Sequence, residues 1–161
     1  MFNSTLAFQV RRQRQQKNIQ SNMTGELLIN NQDAWTTWGV NMGEGFLDAL
    51  DAPLPLKEFP EDESRLENGI KVDTSNPKVS SREIVLGFTI TGKSENDYRN
   101  KKAAFLSELQ KGVFTVKVPA LNNEAYKLVY TGRSISYGIS KSRDFGHFTM
   151  KCTEPNPADR T

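Results

Sequence analysis

Between Ile84 and Cys152, apolar residues recur at every second position in five separate runs. No other feature constrains the fold as much. Ile84, Leu86, Phe88 and Ile90 alternate with Glu83, Val85, Gly87, Thr89 and Thr91. Phe114, Val116 and Val118 come next, ending at Pro119; then Tyr126, Leu128 and Tyr130, up to Gly132; then Ile135, Tyr137 and Ile139. Gly146, Phe148, Met150 and Cys152 oppose Phe145, His147, Thr149 and Lys151 before Pro155 and Pro157 break the pattern. A period of two sends successive side chains to opposite faces, so each run predicts a half-buried strand.

One stretch keeps a different period. In "SENDYRNKKAAFLSELQKG", Tyr98, Phe105, Leu106 and Leu109 form an apolar stripe at helical spacing, with Ala103 beside it. Ser94 is the predicted N-cap, Asp97 stands where a capping-box acid would, and Gly112 is the predicted stop. Glu95 and Asp97 also suit the positive end of the helix dipole. Antiparallel strands with a single helix predict a mainly β chain, sandwich or barrel-like, carrying that helix on its flank.

The first third is less regular. Leu27, Leu28 and Ile29 predict a short strand that ends at the turn formers Asn30 and Asn31. Asp33 can cap one helical turn that Gly39 stops. Trp35 and Trp38 share a face of that turn, either as anchors on the core or as a ligand platform. A short apolar turn spans Phe46 to Leu50, and Pro53, Pro55 and Pro60 then forbid a central strand.

The segment "KEFPEDESRLENGIKVDTSNPKVSSRE", Lys57 to Glu83, is long, polar and charged. A structureless loop of this length signals either disorder or a functional arm. Ile70 and Val72 stand two apart, as on one face of a strand. They predict an extended hairpin: one limb from Gly69 to Asp73, a turn at Ser75 to Pro77, and a return through Lys78 to Arg82.

The 161 residues suffice for one domain with a real core. The expected organisation is a flexible basic tail over 1–22, a single domain over 23–157 and a short tail over 158–161. The chain has 21 basic and 19 acidic residues, but Arg11, Arg12, Arg14 and Lys17 all lie in the leader, leaving 17 basic residues against the 19 acids. The body is therefore a poor nucleic-acid surface. The leader reads either as an extension upstream of a start at Met23 or as a basic arm that docks on a partner or on DNA. No stretch reaches the ~18 apolar residues a membrane-spanning helix needs. A lone Cys152 excludes an intramolecular disulfide and fits a reducing compartment.

Candidate chemistry is sparse. His147 is the one histidine, and alternation puts it on the polar face of its strand, opposite Cys152. The acids Glu61, Asp62, Glu63 and Glu67 cluster, but their spacing is not that of an EF-hand. "GVNMGEG" lacks the strand-to-helix setting of a phosphate loop. No catalytic, metal-binding or cofactor-binding residue is expected, and the chain reads as a non-enzyme.

Taken together, "INNQDAWTTWGV", "PLPLKEFPEDESRLENG", "SNPKVSSREIVLGFTITG", "DYRNKKAAFLSELQKG" and "FTVKVPALNNEAYKLVYTG" resemble the N-terminal domain of siphophage distal tail proteins. More broadly they are similar to the tail-tube β-sandwich family, with relatives in prophages of Bacteroidales-type bacteria. The resemblance spans roughly Gly25 to Pro157 and rests on element order and local patterns. Many such proteins carry a second, carbohydrate-binding-like domain, whereas this sequence ends at Thr161; tail-tube and tail-completion roles therefore stay open beside the distal-tail role.

The resemblance implies a virion subunit, assembled in the host cytoplasm, that forms a hexameric ring at the tail tube–baseplate junction around the DNA channel. Its implied partners are other copies of itself, the tail tube protein, the tail hub or baseplate protein and the tape-measure protein, with DNA passing transiently and no membrane contact. The polar segment becomes an arm that docks on a neighbour, with Glu58, Arg65, Leu66, Ile70, Val72 and Val79 as interface residues. Glu61, Asp62, Glu63 and Glu67 would face the channel or pair with a neighbour's basic residues. A reading of another class is a small nucleic-acid or ligand-binding module using the basic leader or Trp35 and Trp38.

Overall fold

The computed structural model describes residues 23–161, so the expectations for the basic leader over 1–22 lie outside the described residues. Among the described residues, nine strands and three helices follow one another: β1 (Leu28–Ile29), β2 (Gln32–Asp33), α1 (Ala34–Trp38), β3 (Val40–Met42), α2 (Phe46–Asp51), β4 (Glu61–Glu63), β5 (Ile70–Val72), β6 (Arg82–Thr91), α3 (Glu95–Leu109), β7 (Val113–Lys117), β8 (Tyr126–Ile139) and β9 (Phe145–Glu154). The class is as expected, mainly antiparallel β. Seven strands form one sheet in the order β2–β1–β7–β8–β9–β6–β3, and β4 and β5 form a separate ribbon.

Alternation decides which face of the sheet is dry. Ile84, Leu86, Phe88 and Ile90 of β6 pair in register with Cys152, Met150, Phe148 and Gly146 of β9, and all are buried. Phe114 and Val116 of β7 and Tyr126 and Leu128 of β8 extend the same face. Helix α3 lies over it with Tyr98, Phe105 and Leu109. Phe105 joins an aromatic cluster, 5.3 Å from Phe88, 5.6 Å from Trp38 and 6.0 Å from Phe148 between ring centroids. Burying large aromatic surface in such edge-on and tilted packing adds stability beyond area alone.

The caps behave as the sequence predicts, with small differences. Ser94 Oγ accepts from the Asp97 N–H, while the Asp97 carboxylate accepts from the Lys93 N–H, one residue before the cap. Helix α3 stops at Leu109 with Gln110 as C-cap, so Gly112 lies beyond the stop. Ala103 is exposed and no part of the buried stripe. Asp33 caps α1, and Gly39, at φ 63, ends it. A side chain at Gly39 would collide with the Thr91 carbonyl, which explains the glycine twice over.

Two expectations need correction. The runs Tyr126–Tyr130 and Ile135–Ile139 are one strand, not two. β8 continues through Gly132 and Ser134, both at positive φ, with register shifts against β9 between Tyr130 and Arg133 and between Arg133 and Ser136. Bulges absorb the extra residues, so the glycine bends the strand where it was expected to end it. The polar segment is indeed a hairpin, but its limbs and tip differ from those predicted, as described next.

Candidate assembly interface

The arm leaves the body after α2 and returns to it at β6. Its roots are paired: Ser80 N–H donates to Pro55 O at 2.9 Å, Lys57 N–H donates to Lys78 O at 2.8 Å, and Leu56 bridges Val79. Further out, Asp73 N–H donates to Pro60 O at 2.9 Å, and Glu61, Asp62 and Glu63 pair with Val72, Lys71 and Ile70. The partner of Ile70–Val72 is therefore β4, not the segment Lys78–Arg82. The tip lies at 64–69, where Gly69 takes φ 72 and Ser64 Oγ accepts from the Leu66 N–H.

Asn76 and Pro77 are not the turn. Between the bridge at Leu56–Val79 and the pair Glu61–Val72, the outgoing limb has the residues 57–60 and the returning limb the longer stretch 73–78. Asn76-Pro77 falls in that surplus and forms an irregularity in the ribbon. Asp73 closes the bend: the Ser75 hydroxyl and then the Ser75 N–H hold its carboxyl below the usual carboxylate range.

Every residue of the ribbon from 60 to 78 is exposed among the described residues. Leu66 at the tip is 95% exposed, and Ile70 and Val72 are about half exposed. Directly paired residues share a face. Ile70 and Val72 thus stand beside Glu63 and Glu61 on one face, while Asp62 and Lys71 occupy the other. The four acids do not form one cluster: Glu67 pairs with Lys71 at 3.0 Å near the tip. Glu58 and Arg65 are exposed, and Val79 at the root is half buried.

What aims the arm is a group that spacing did not reveal. Arg82, the first residue of β6, is buried and donates through Nε to Glu154 Oε2 at 2.6 Å. Its remaining donors reach the carbonyls of Ala49 at 3.2 Å, Leu50 at 3.0 Å and Ala52 at 3.4 Å. These are the orphan carbonyls at the end of α2. One guanidinium therefore fastens the arm's outgoing root to its returning root. Arg160 completes the network, donating to Glu154 at 2.8 Å and to Glu124 at 3.1 Å while stacking 4.4 Å over the Tyr126 ring. The clue lay in Arg82 and Glu154 falling at apolar-phase positions of their strands.

The other candidates are placed as follows. Trp38 is buried against Phe105 and Trp35 is half buried, so the two do not form an open platform. His147 is exposed and Cys152 buried on the opposite face, where burial pushes the thiol up to about 12. Among the described residues, no three His, Cys, Asp or Glu side chains are placed to hold a metal ion.

The fold and arm define a class: a one-sided antiparallel sheet closed by a helix, with a clamped, projecting polar ribbon. No protein-family model and no curated protein matches the chain. Among solved structures it is similar to the SPP1 Dit (gp 19.1) protein, described as a paradigm of the hub adsorption apparatus in phages infecting Gram-positive bacteria. The TM-score is 0.53 at 13% sequence identity, over 82% of this chain and 50% of that one. This chain thus spans about half the length of that protein, and what the two share is the fold.

Proposed function

We propose that this chain is a non-enzymatic structural subunit of a phage tail, forming a ring around the DNA channel at the junction of tail tube and baseplate. The observation that carries the reading is an arm clamped at its roots and exposed along its length among the described residues, on a fold shared with a phage adsorption-hub protein. A ring needs each subunit to present one surface forwards and a different one backwards, and a projecting ribbon is a natural forward surface. Its polar composition keeps it soluble before docking, and its clamped roots reduce the ordering cost when it docks. The likeness to Dit favours the baseplate junction over a tube or completion role. Partners would be further copies of the chain, the tube protein, the hub protein and the tape-measure protein, assembled in the host cytoplasm.

The test is native mass and negative-stain imaging of the purified protein, alone and mixed with the tube and hub proteins of the same phage. Closed rings near six subunits are expected. Replacing Glu61–Val72 by a short Asn-Gly turn should leave the monomer folded and abolish the rings. A chain that stays monomeric in every mixture would refute the reading.

A further inference from the structure

The far half of β8 is unfinished. Strand β7 covers β8 only from Tyr126 to Val129, with Tyr130 N–H closing on Gly112 O. From Thr131 to Ile139, β8 pairs with β9 on one side, and no strand among the described residues lies along its other edge. Nine residues of open edge amount to about 30 Å. An edge of this length is a template for another strand unless it is protected.

The bulges around Gly132 and Ser134 and the charge of Arg133 interrupt the first part of this edge, but from Ser136 to Ile139 the strand pairs regularly with β9 and carries no charge, bulge or proline. Ile135, Tyr137 and Ile139 are 51%, 46% and 49% exposed. Tyr137 and Ile139 pair with Phe148 and Gly146 and so point toward the helix side of the sheet. Helix α3 touches Tyr137 through Tyr98 and Lys102 but leaves these side chains about half exposed. Between helix and strand runs a groove of about 150 Å³ lined by Lys102, Leu106, Tyr130, Ile135, Tyr137 and Met150. Its rim is held rather than loose, since the Tyr98 and Tyr137 hydroxyls share a hydrogen bond of 2.7 Å. Lys102 Nζ sits 5.0 Å from the Tyr137 ring centroid, and Lys102 forms no ion pair with any described residue.

The arm carries the complementary features. One of its faces presents Ile70 and Val72 flanked by Glu63 and Glu61, and no strand among the described residues pairs with either outer edge of the ribbon. We propose that strand β5 of one copy's arm adds to the open edge of β8 in the next copy, laying Ile70 and Val72 over Ile135 and Tyr137, with Glu61 or Glu63 meeting Lys102. Main-chain bonds along the edge supply affinity and the alternate side chains supply register. An acid that pairs with Lys102 in a partly desolvated groove also decides orientation. The contact is heterologous, because arm and groove occupy different parts of the chain. This inference rests on the ring reading and names the receiving surface.

The test uses disulfide trapping in the full chain with Cys152→Ala. Ile70→Cys and Ile135→Cys are placed in separate copies, both at half-exposed positions. Mixing them under mild oxidant should give a covalent dimer, and neither variant alone should. Ile135→Glu should raise the concentration needed for assembly at least about tenfold, which is a loss of one good contact. Lys102→Glu should weaken assembly similarly, and adding Glu61→Lys with Glu63→Lys should restore it. Rings that form without the cross-link and are indifferent to Ile135→Glu would overturn this inference while leaving the ring reading standing. A chain that never assembles would overturn both.

Discussion

Replacing Arg82 by methionine removes a guanidinium that makes four contacts at once, one to Glu154 and three to the carbonyls of Ala49, Leu50 and Ala52. Methionine roughly keeps the aliphatic volume, so the loss is polar. Deleting one partner of a buried pair costs roughly 3–5 kcal/mol, because the remaining charge stays buried without its counter-ion. Here Glu154 keeps Arg160, whose Nε and Nη2 lie at 2.8 and 3.2 Å, so the lower end applies, about 3 kcal/mol. In a domain of this size that lowers Tm by about 6–12 °C. The assay is urea and thermal unfolding followed by circular dichroism. Arg82→Lys should recover only part of the loss, since an ammonium is a point charge and cannot reproduce the fork. Limited proteolysis adds a second readout: the chain near 52–56 should be cut faster in Arg82→Met, because its root is no longer clamped. A loss under about 1 kcal/mol with unchanged cleavage would refute the clamp, meaning that Arg160 and water satisfy everything Arg82 touches.

Three further outcomes follow from local geometry. Burial raises the Cys152 thiol from 9.0 to about 12, so the unfolded chain ionises first and stability should fall as pH rises from about 9. The decline attributable to this group approaches ~1.4 kcal/mol per pH unit and should be missing in Cys152→Ala, while a thiol reagent should label the native protein only on unfolding. A side chain at Gly146 would collide with the Tyr98 hydroxyl, so Gly146→Ala should cost about 1–3 kcal/mol by denaturant titration. Tyr98→Phe should relieve only part of that cost, since the ring Cζ would still lie 2.9 Å from the new Cβ. At Asp33, burial raises the carboxyl's pKa, but the bonds from Gly25 and Thr36 outweigh it and hold the carboxyl below its ordinary value of 3.8. Its contribution to stability is therefore complete above that value and lost as pH falls through the lower folded one. Asp33→Ala should cost about 1 kcal/mol near neutrality and almost nothing in strong acid, measured by thermal unfolding across that range.

The readings that came straight from the sequence share one property: neighbours in the chain decide them. Alternation at Ile84–Ile90 and Gly146–Cys152 fixes which side chains point inward, whatever strand lies alongside. Ser94 and Asp33 cap their helices through bonds that span three residues. The arm was visible because the segment Lys57–Glu83 lacks the apolar surface to build a core. Tertiary structure decided what depends on partners far away in the chain. The prolines before β4 still allow the outgoing limb to pair, so β5 bonds to Glu61–Glu63 and the tip moves from Asn76-Pro77 to Leu66. Register against β9 carries β8 through Gly132, where local propensity alone would end a strand. The clamp joins Arg82 to Glu154 across 72 positions. Each of the two charges in isolation reads as a surface residue, and only the packed core, where an unpaired charge is too costly to keep, requires that they meet.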